Sequence, residues 1–176
     1  MSPLATGIGR PDSSEYDPYY ERYVSLVEGS DIIGALQDQP LKTRALFGSL
    51  KARADFRYAP GKWTVKEVLG HMNDTERIMT YRALRIGRGD KTPIEGFEQD
   101  DYVSNGRFDR RTLDGLIDEF MTIRTATVQL FSNFDAEASE RWGTANQKTI
   151  SARALGYTIA GHELHHRRIV QEKYLR

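Results

Sequence analysis

The chain has 176 residues, 39% of them hydrophobic, with 25 basic and 25 acidic side chains and no cysteine. That length builds one domain with a real core and is short for two. Zero net charge gives no electrostatic case for a nucleic-acid or anionic-membrane partner, and the missing cysteines exclude disulfides, thiolate ligands and a thiol nucleophile of the protein's own.

Residues 1–15, rich in Ser, Gly and Pro, read as a mobile leader, which leaves 16–176 as a single domain. A short helix is expected from Asp17 to Glu28, stopped by Gly29. A longer one is expected from Asp31 to Phe56, kinked or divided at Pro40. Pro60-Gly61-Lys62-Trp63 forms a turn, and Thr64-Val65-Lys66-Glu67 fits a capping box that opens a helix running to Ile86. Residues 87–108 are too many for a minimal connection and suggest a lid or a dimer arm. Apolar residues at helical spacing predict another helix from Thr112 to Phe134, and a last one from Ser151 almost to the C-terminus. Four long amphipathic helices with little strand signal point to an all-α helical bundle preceded by a short extra N-terminal helix.

The chain's four histidines fall in two segments, 70–73 and 161–167. His162 and His166, four apart, project from one face of the last helix in nearly the direction of Leu155, Ile159 and Ile169. His71 shares a face with Val68, Thr75 and Ile78 on its own helix. All three imidazoles therefore point into the bundle, where they can meet only through the fold. Spacing of this kind suits a divalent metal, although a histidine on an apolar stripe can also be a hydrogen-bonded core residue. His165 falls at the edge of the stripe, as a neighbour of the site. Glu163 points away from the stripe and is expected to face solvent.

Other residues are open to two readings. Asp74 can orient an imidazole or act as a base, or it can be a solvated partner of Arg77 or Arg82. Trp63 can line a pocket or staple the helix entry, and Arg82 can receive an anionic substrate or cap the bundle end. The glycine pairs Gly7/Gly9 and Gly87/Gly89 lack the strand and helix of a phosphate loop. Glu-x-x-His occurs once, at Glu163 and His166, whereas a ferritin-like di-iron site needs it on two helices, which argues against such a site.

The run Tyr58-Ala59-Pro60-Gly61-Lys62-Trp63-Thr64-Val65-Lys66-Glu67-Val68-Leu69-Gly70-His71, then Asp74-Thr75-Glu76-Arg77, and the closing Ala160-Gly161-His162-Glu163-Leu164-His165-His166 resemble the DinB-like (DinB/YfiT) superfamily. The resemblance covers about residues 20–175. It implies an up-down-down-up four-helix bundle, often dimeric, with a divalent metal on His71, His162 and His166. It also implies a range of chemistries, from transfer reactions using low-molecular-weight thiols to thiol-dependent isomerisation.

Three neutral imidazoles leave a coordination position open, as in catalytic zinc sites. Zinc or nickel suits such a donor set, and iron or manganese also binds it. The expected function is a metal-dependent enzyme, a thiol-dependent S-transferase or hydrolase-like, acting on a small molecule. With no cysteine in the chain, any thiol must be a cosubstrate. The alternative is a non-catalytic, metal-stabilised binding or stress-response module. A pI near 6.9 favours self-association, so a homodimer is expected. No apolar run of membrane length and no hydrophobic signal core occur, and a cytoplasmic location is expected.

Overall fold

A computed structural model of the chain describes residues 8–176. In chain order its helices are α1 (Glu21–Val24), α2 (Ile32–Gly48), α3 (Val65–Gly87), α4 (Gln99–Asn105), α5 (Leu113–Ser132), α6 (Ala136–Glu140) and α7 (Ala152–Ile169). Two strands, β1 (Trp142–Ala145) and β2 (Lys148–Ser151), form a hairpin before α7. The four long helices each start on a side-chain cap, Asp31, Thr64, Thr112 and Ser151, that accepts a backbone N–H otherwise left without a partner. At Thr64 the capping box is complete. Glu67 N–H donates to Thr64 Oγ1 at 3.1 Å, and Thr64 N–H donates to Glu67 Oε2 at 2.7 Å.

Side-chain contacts fix the helix directions. Asn73 with Leu116, Arg77 with Glu119 and Thr80 with Thr127 advance together, so α3 and α5 run parallel. Lys51 with Asp114 and Arg124 with Leu36 set α5 antiparallel to α2. Thr43 with Glu163, and Arg53 with Arg176 beyond the helix ends, set α7 parallel to α2. The arrangement is up-down-down-up, with α3 packed against α5 and α7, and α2 against the same two. Because α3 and α5 are consecutive among the long helices and run parallel, the chain must return along the bundle between them. This requirement accounts for the length of the 87–108 segment. Val103 and Phe108 anchor it in the core, and Ile94 pairs with Ala145 of the hairpin.

The apolar core divides into two clusters along the bundle axis. One takes Met79, Ala83 and Ile86 of α3 with Leu155, Ile159 and Ala160 of α7. The other takes Val65, Val68, Leu69 and Met72 of α3 with Val170 and Tyr174. Between them, on both helices, lies a layer of buried polar side chains: His71, Thr75 and Glu76 opposite His162, Glu163 and His166.

Several expectations are corrected. Residues 8–15, read as part of a mobile leader, are docked; residues 1–7 of that leader lie outside the described residues. Ile8 is buried, Arg10 donates to the carbonyl oxygen of Val24 at 2.9 Å, and the buried Glu15 accepts from Arg153 Nε at 2.8 Å. The Asp17–Glu28 helix is shortened to a 3-10 turn at Pro18–Tyr20 followed by α1. The helix after Asp31 ends at Gly48, not Phe56, and Pro40 does not divide it. The β1–β2 hairpin was not expected from the sequence. Its two-residue turn, Asn146-Gln147, has φ of 51° and 60°, the left-handed pair such hairpins need, but without the glycine that usually signals it.

Candidate metal centre

Two of the three imidazoles of the polar layer, His162 and His71, follow a glycine that lets another element approach. Gly161, just before His162, lies against the backbone of α1, and a Cβ there would overlap the Tyr23 carbonyl. Gly70, just before His71, leaves room for the Phe108 ring. Tyr23 is thereby set edge-on to His162, with ring centroids 5.4 Å apart.

His71 Nε2 and His166 Nε2 each lie 3.1 Å from His162 Nε2. The three candidate ligand atoms lie within 4.8 Å of one another, and all three residues are buried. Tetrahedral zinc with Zn–N bonds of about 2.0–2.1 Å would place its ligand nitrogens about 3.3 Å apart, and the two 3.1 Å separations lie within a few tenths of an ångström of that. The donor set makes the same point. A neutral imidazole nitrogen carries either one proton or one lone pair, so His162 Nε2 cannot form a good hydrogen bond with both neighbours at once. A cation at the centre takes all three lone pairs.

Burial holds the imidazoles in the neutral form that binds metals. It pulls His71 down to about 4, with a smaller push from His165. It also holds His162 and His166 well below the ordinary histidine range, helped by the neighbouring imidazoles. Thr75 Oγ1 sits 3.5 Å from His71 Nδ1, placed to receive that ring's other proton.

Below the triad lies a buried ion network. Arg124 donates Nε and Nη2 to the two oxygens of Glu76, both at 2.8 Å, and its Nη1 is 2.6 Å from Glu163 Oε2. Thr43 donates to the other Glu163 oxygen. Burial alone would lower the arginine's pKa, but Glu76 and Glu163 together raise it. Glu163, expected in solvent, is buried instead, because α2 packs against α7 and Arg124 of α5 reaches the carboxylate. Position 124 carried the missed signal. It stands on the apolar stripe of α5 with Phe120, Thr127 and Phe131, where a charge requires a buried partner.

A cavity of about 300 Å³ opens from His71 and His162. Its walls come from Tyr19, Tyr20 and Tyr23 at the N-terminal end, from Thr75, Met79 and Arg82 along α3, from Phe97 of the crossover and from Lys148 of the hairpin. A second cavity, about 310 Å³, reaches His166 and is lined by Trp63, Tyr58 and Tyr174 among others. Trp63 lines it and lies on His71, ring centroids 4.7 Å apart. Arg82 faces the first cavity. His165 stands beside His166, ring centroids 5.1 Å apart, outside the converging triad. Asp74 does not join the site. It lines a separate cleft with Arg77 and Tyr102 and lies 3.7 Å from Arg77, so its role as an orienting or basic group is withdrawn.

Fold and site together define a class: a four-helix bundle with parallel central neighbours and three buried imidazoles gathered from two of its helices. The chain belongs to the DinB superfamily, whose family model matches residues 35–170. It is also similar in fold to YfiT from Bacillus subtilis, described as a probable metal-dependent hydrolase with an unusual four-helix bundle topology. That likeness has a TM-score of 0.75 at 15% sequence identity, over 94% of this chain and 91% of that one. No curated protein matches the chain. No helix among the described residues is long and apolar enough to cross a membrane.

Proposed function

We propose that the chain is a metal-dependent enzyme acting on small molecules, with one divalent ion held by His71, His162 and His166. The carrying observation is that the three buried Nε2 atoms converge beside an open cavity and are not sealed in the core. Zinc or nickel suits three imidazoles, and iron or manganese is compatible. When bound, such an ion supplies Lewis acidity and lowers the pKa of a coordinated water or thiol. The hydrolase description of YfiT supports this reading by analogy of fold.

The chain's own residues do the rest. The imidazoles enter neutral, so binding a cation does not first require them to lose protons at neutral pH. Tyr20, Tyr23 and Phe97 enclose the cavity with aromatic surface and restrict bulk water. None of the described carboxylates is buried in the cavity wall, because Glu98 is exposed at its edge and Glu76 and Glu163 are committed to Arg124. The activated nucleophile is therefore water or a low-molecular-weight thiol, because the chain has no cysteine to supply one.

The test is a panel of small esters, amides and alkylating electrophiles, each offered to metal-loaded protein with and without added thiol. Turnover abolished by chelator and restored by the ion is expected, with melting changed only modestly by chelation, since the two apolar clusters give the bundle a core made without the ion. No turnover, together with collapse of the fold on chelation, would replace this reading with a metal-stabilised binding module.

A further inference from the structure

Two arginines are completely buried in the bundle, and their surroundings are opposite. Arg124 meets two carboxylates. Arg82, 2% exposed, forms no ion pair with any of the described residues. Its Nη2 donates to the Glu95 carbonyl oxygen at 3.0 Å, its Nη1 lies 3.7 Å from the Met79 sulfur, a weak acceptor, and its Nε has no partner at all. Burial pulls its pKa below the ordinary arginine value, partly countered by Tyr20. A guanidinium kept in a dry place without a counter-ion is costly, and this one faces a cavity.

Its place on α3 relates it to the imidazoles. His71, Thr75, Met79 and Arg82 follow one another at helical spacing and line the same cavity. The rise from His71 to Arg82 is about 16 Å along the axis, and helical side chains lean toward the N-terminus, which shortens the gap. Metal-ligand candidates and a lone buried cation thus share one small cavity.

We propose that Arg82 receives a carboxylate of the substrate, so that the site takes a small carboxylic acid whose reacting group lies at the His71 and His162 end. This inference rests on the proposed metal centre only for which end reacts. A carboxylate fits better than a phosphate. The planar fork of arginine matches two carboxylate oxygens, and only one uncompensated charge is present, since Lys148 is held by Asp17 at 2.7 Å. The exposed Glu98 at the cavity edge also disfavours a dianion.

The experiment titrates acetate, succinate, glutarate, benzoate and inorganic phosphate into metal-loaded and metal-free protein. Affinity is followed by calorimetry, and the Arg82 Nε–H resonance by NMR. A carboxylate that binds, shifts that resonance, and binds at least about 30-fold more weakly to Arg82→Gln than to the wild type, with Arg82→Lys falling between the two, supports the proposal. Should Arg82→Gln fail to fold, the wild-type resonance decides alone. No carboxylate binding, binding that leaves the Arg82 resonance unmoved, or phosphate binding more tightly than every carboxylate would overturn it. Metal content is measured on the same samples. Carboxylate binding to a protein that takes up no metal sinks the proposed function and spares this inference, and the converse result sinks this inference alone.

Discussion

Arg124 Nη1 donates to the carbonyl oxygen of Leu36 at 3.3 Å. In an unbroken helix that oxygen would accept from the N–H four residues on, but the residue there is Pro40, which has none. The buried guanidinium takes the vacated acceptor while it pairs Glu76 and Glu163. One side chain thus lets a proline stand inside α2 and carries α2, α3 and α7 on a single network just below the imidazoles.

Removing one member of that network leaves a buried charge short of its partner. Glu163→Gln is expected to destabilise the protein by about 3 kcal/mol in urea unfolding. It should leave metal stoichiometry unchanged, because Glu163 is not one of the converging ligands. A variant as stable as the wild type would show that the Arg124 to Glu163 contact contributes little.

Two glycines separate close approach from conformational cost. Gly161→Ala sets a methyl group on the Tyr23 carbonyl, backbone that cannot swing away, and should cost about 1–3 kcal/mol and displace α1 from the cavity wall. Gly48→Ala, in the last turn of α2 with nothing near its added methyl, should instead stabilise by up to about 1 kcal/mol. Thermal melts of both variants read the two signs directly.

The metal-free protein should lose stability in acid in a defined window. His71 titrates near 4 when folded and near the usual 6.5 when unfolded, so above pH 6.5 both states are neutral and its contribution is complete. Between pH 6.5 and 4 only the unfolded chain takes up the proton, and stability falls by about 3 kcal/mol for this residue. His162 and His166 shift in the same direction and extend the loss to lower pH. Denaturant titrations of wild type and His71→Phe should diverge on acidification, with the variant less sensitive. Parallel curves would contradict the burial of a neutral His71.

Helix identity and the converging histidines were legible because local signals and burial agreed. Thr64-Val65-Lys66-Glu67 is a complete cap in sequence and in structure, and His71, His162 and His166 all lie on apolar stripes. What misled the reading were positions where a distant partner decides. Glu163 looked solvent-facing because one amphipathic stripe was assigned to α7, whereas α1, α2 and α3 all pack against that helix. Pro40 looked like a breaker because its compensating donor, Arg124, is 84 residues away in sequence. Residues 8–15 looked mobile by composition, although Arg10 and Glu15 find their partners on α1 and α7. The three tyrosines of the cavity wall gave no chemical signal of their own, only a helical spacing equally suited to core.

The most direct test of the central claim is elemental analysis of protein purified without an immobilised-metal step, compared across wild type, His71→Ala, His162→Ala and His166→Ala. One divalent ion per chain in the wild type, and far less in each folded variant, is the expected result. A wild type that takes up no stoichiometric metal from zinc, nickel, iron or manganese, or variants that retain a full complement, would contradict it.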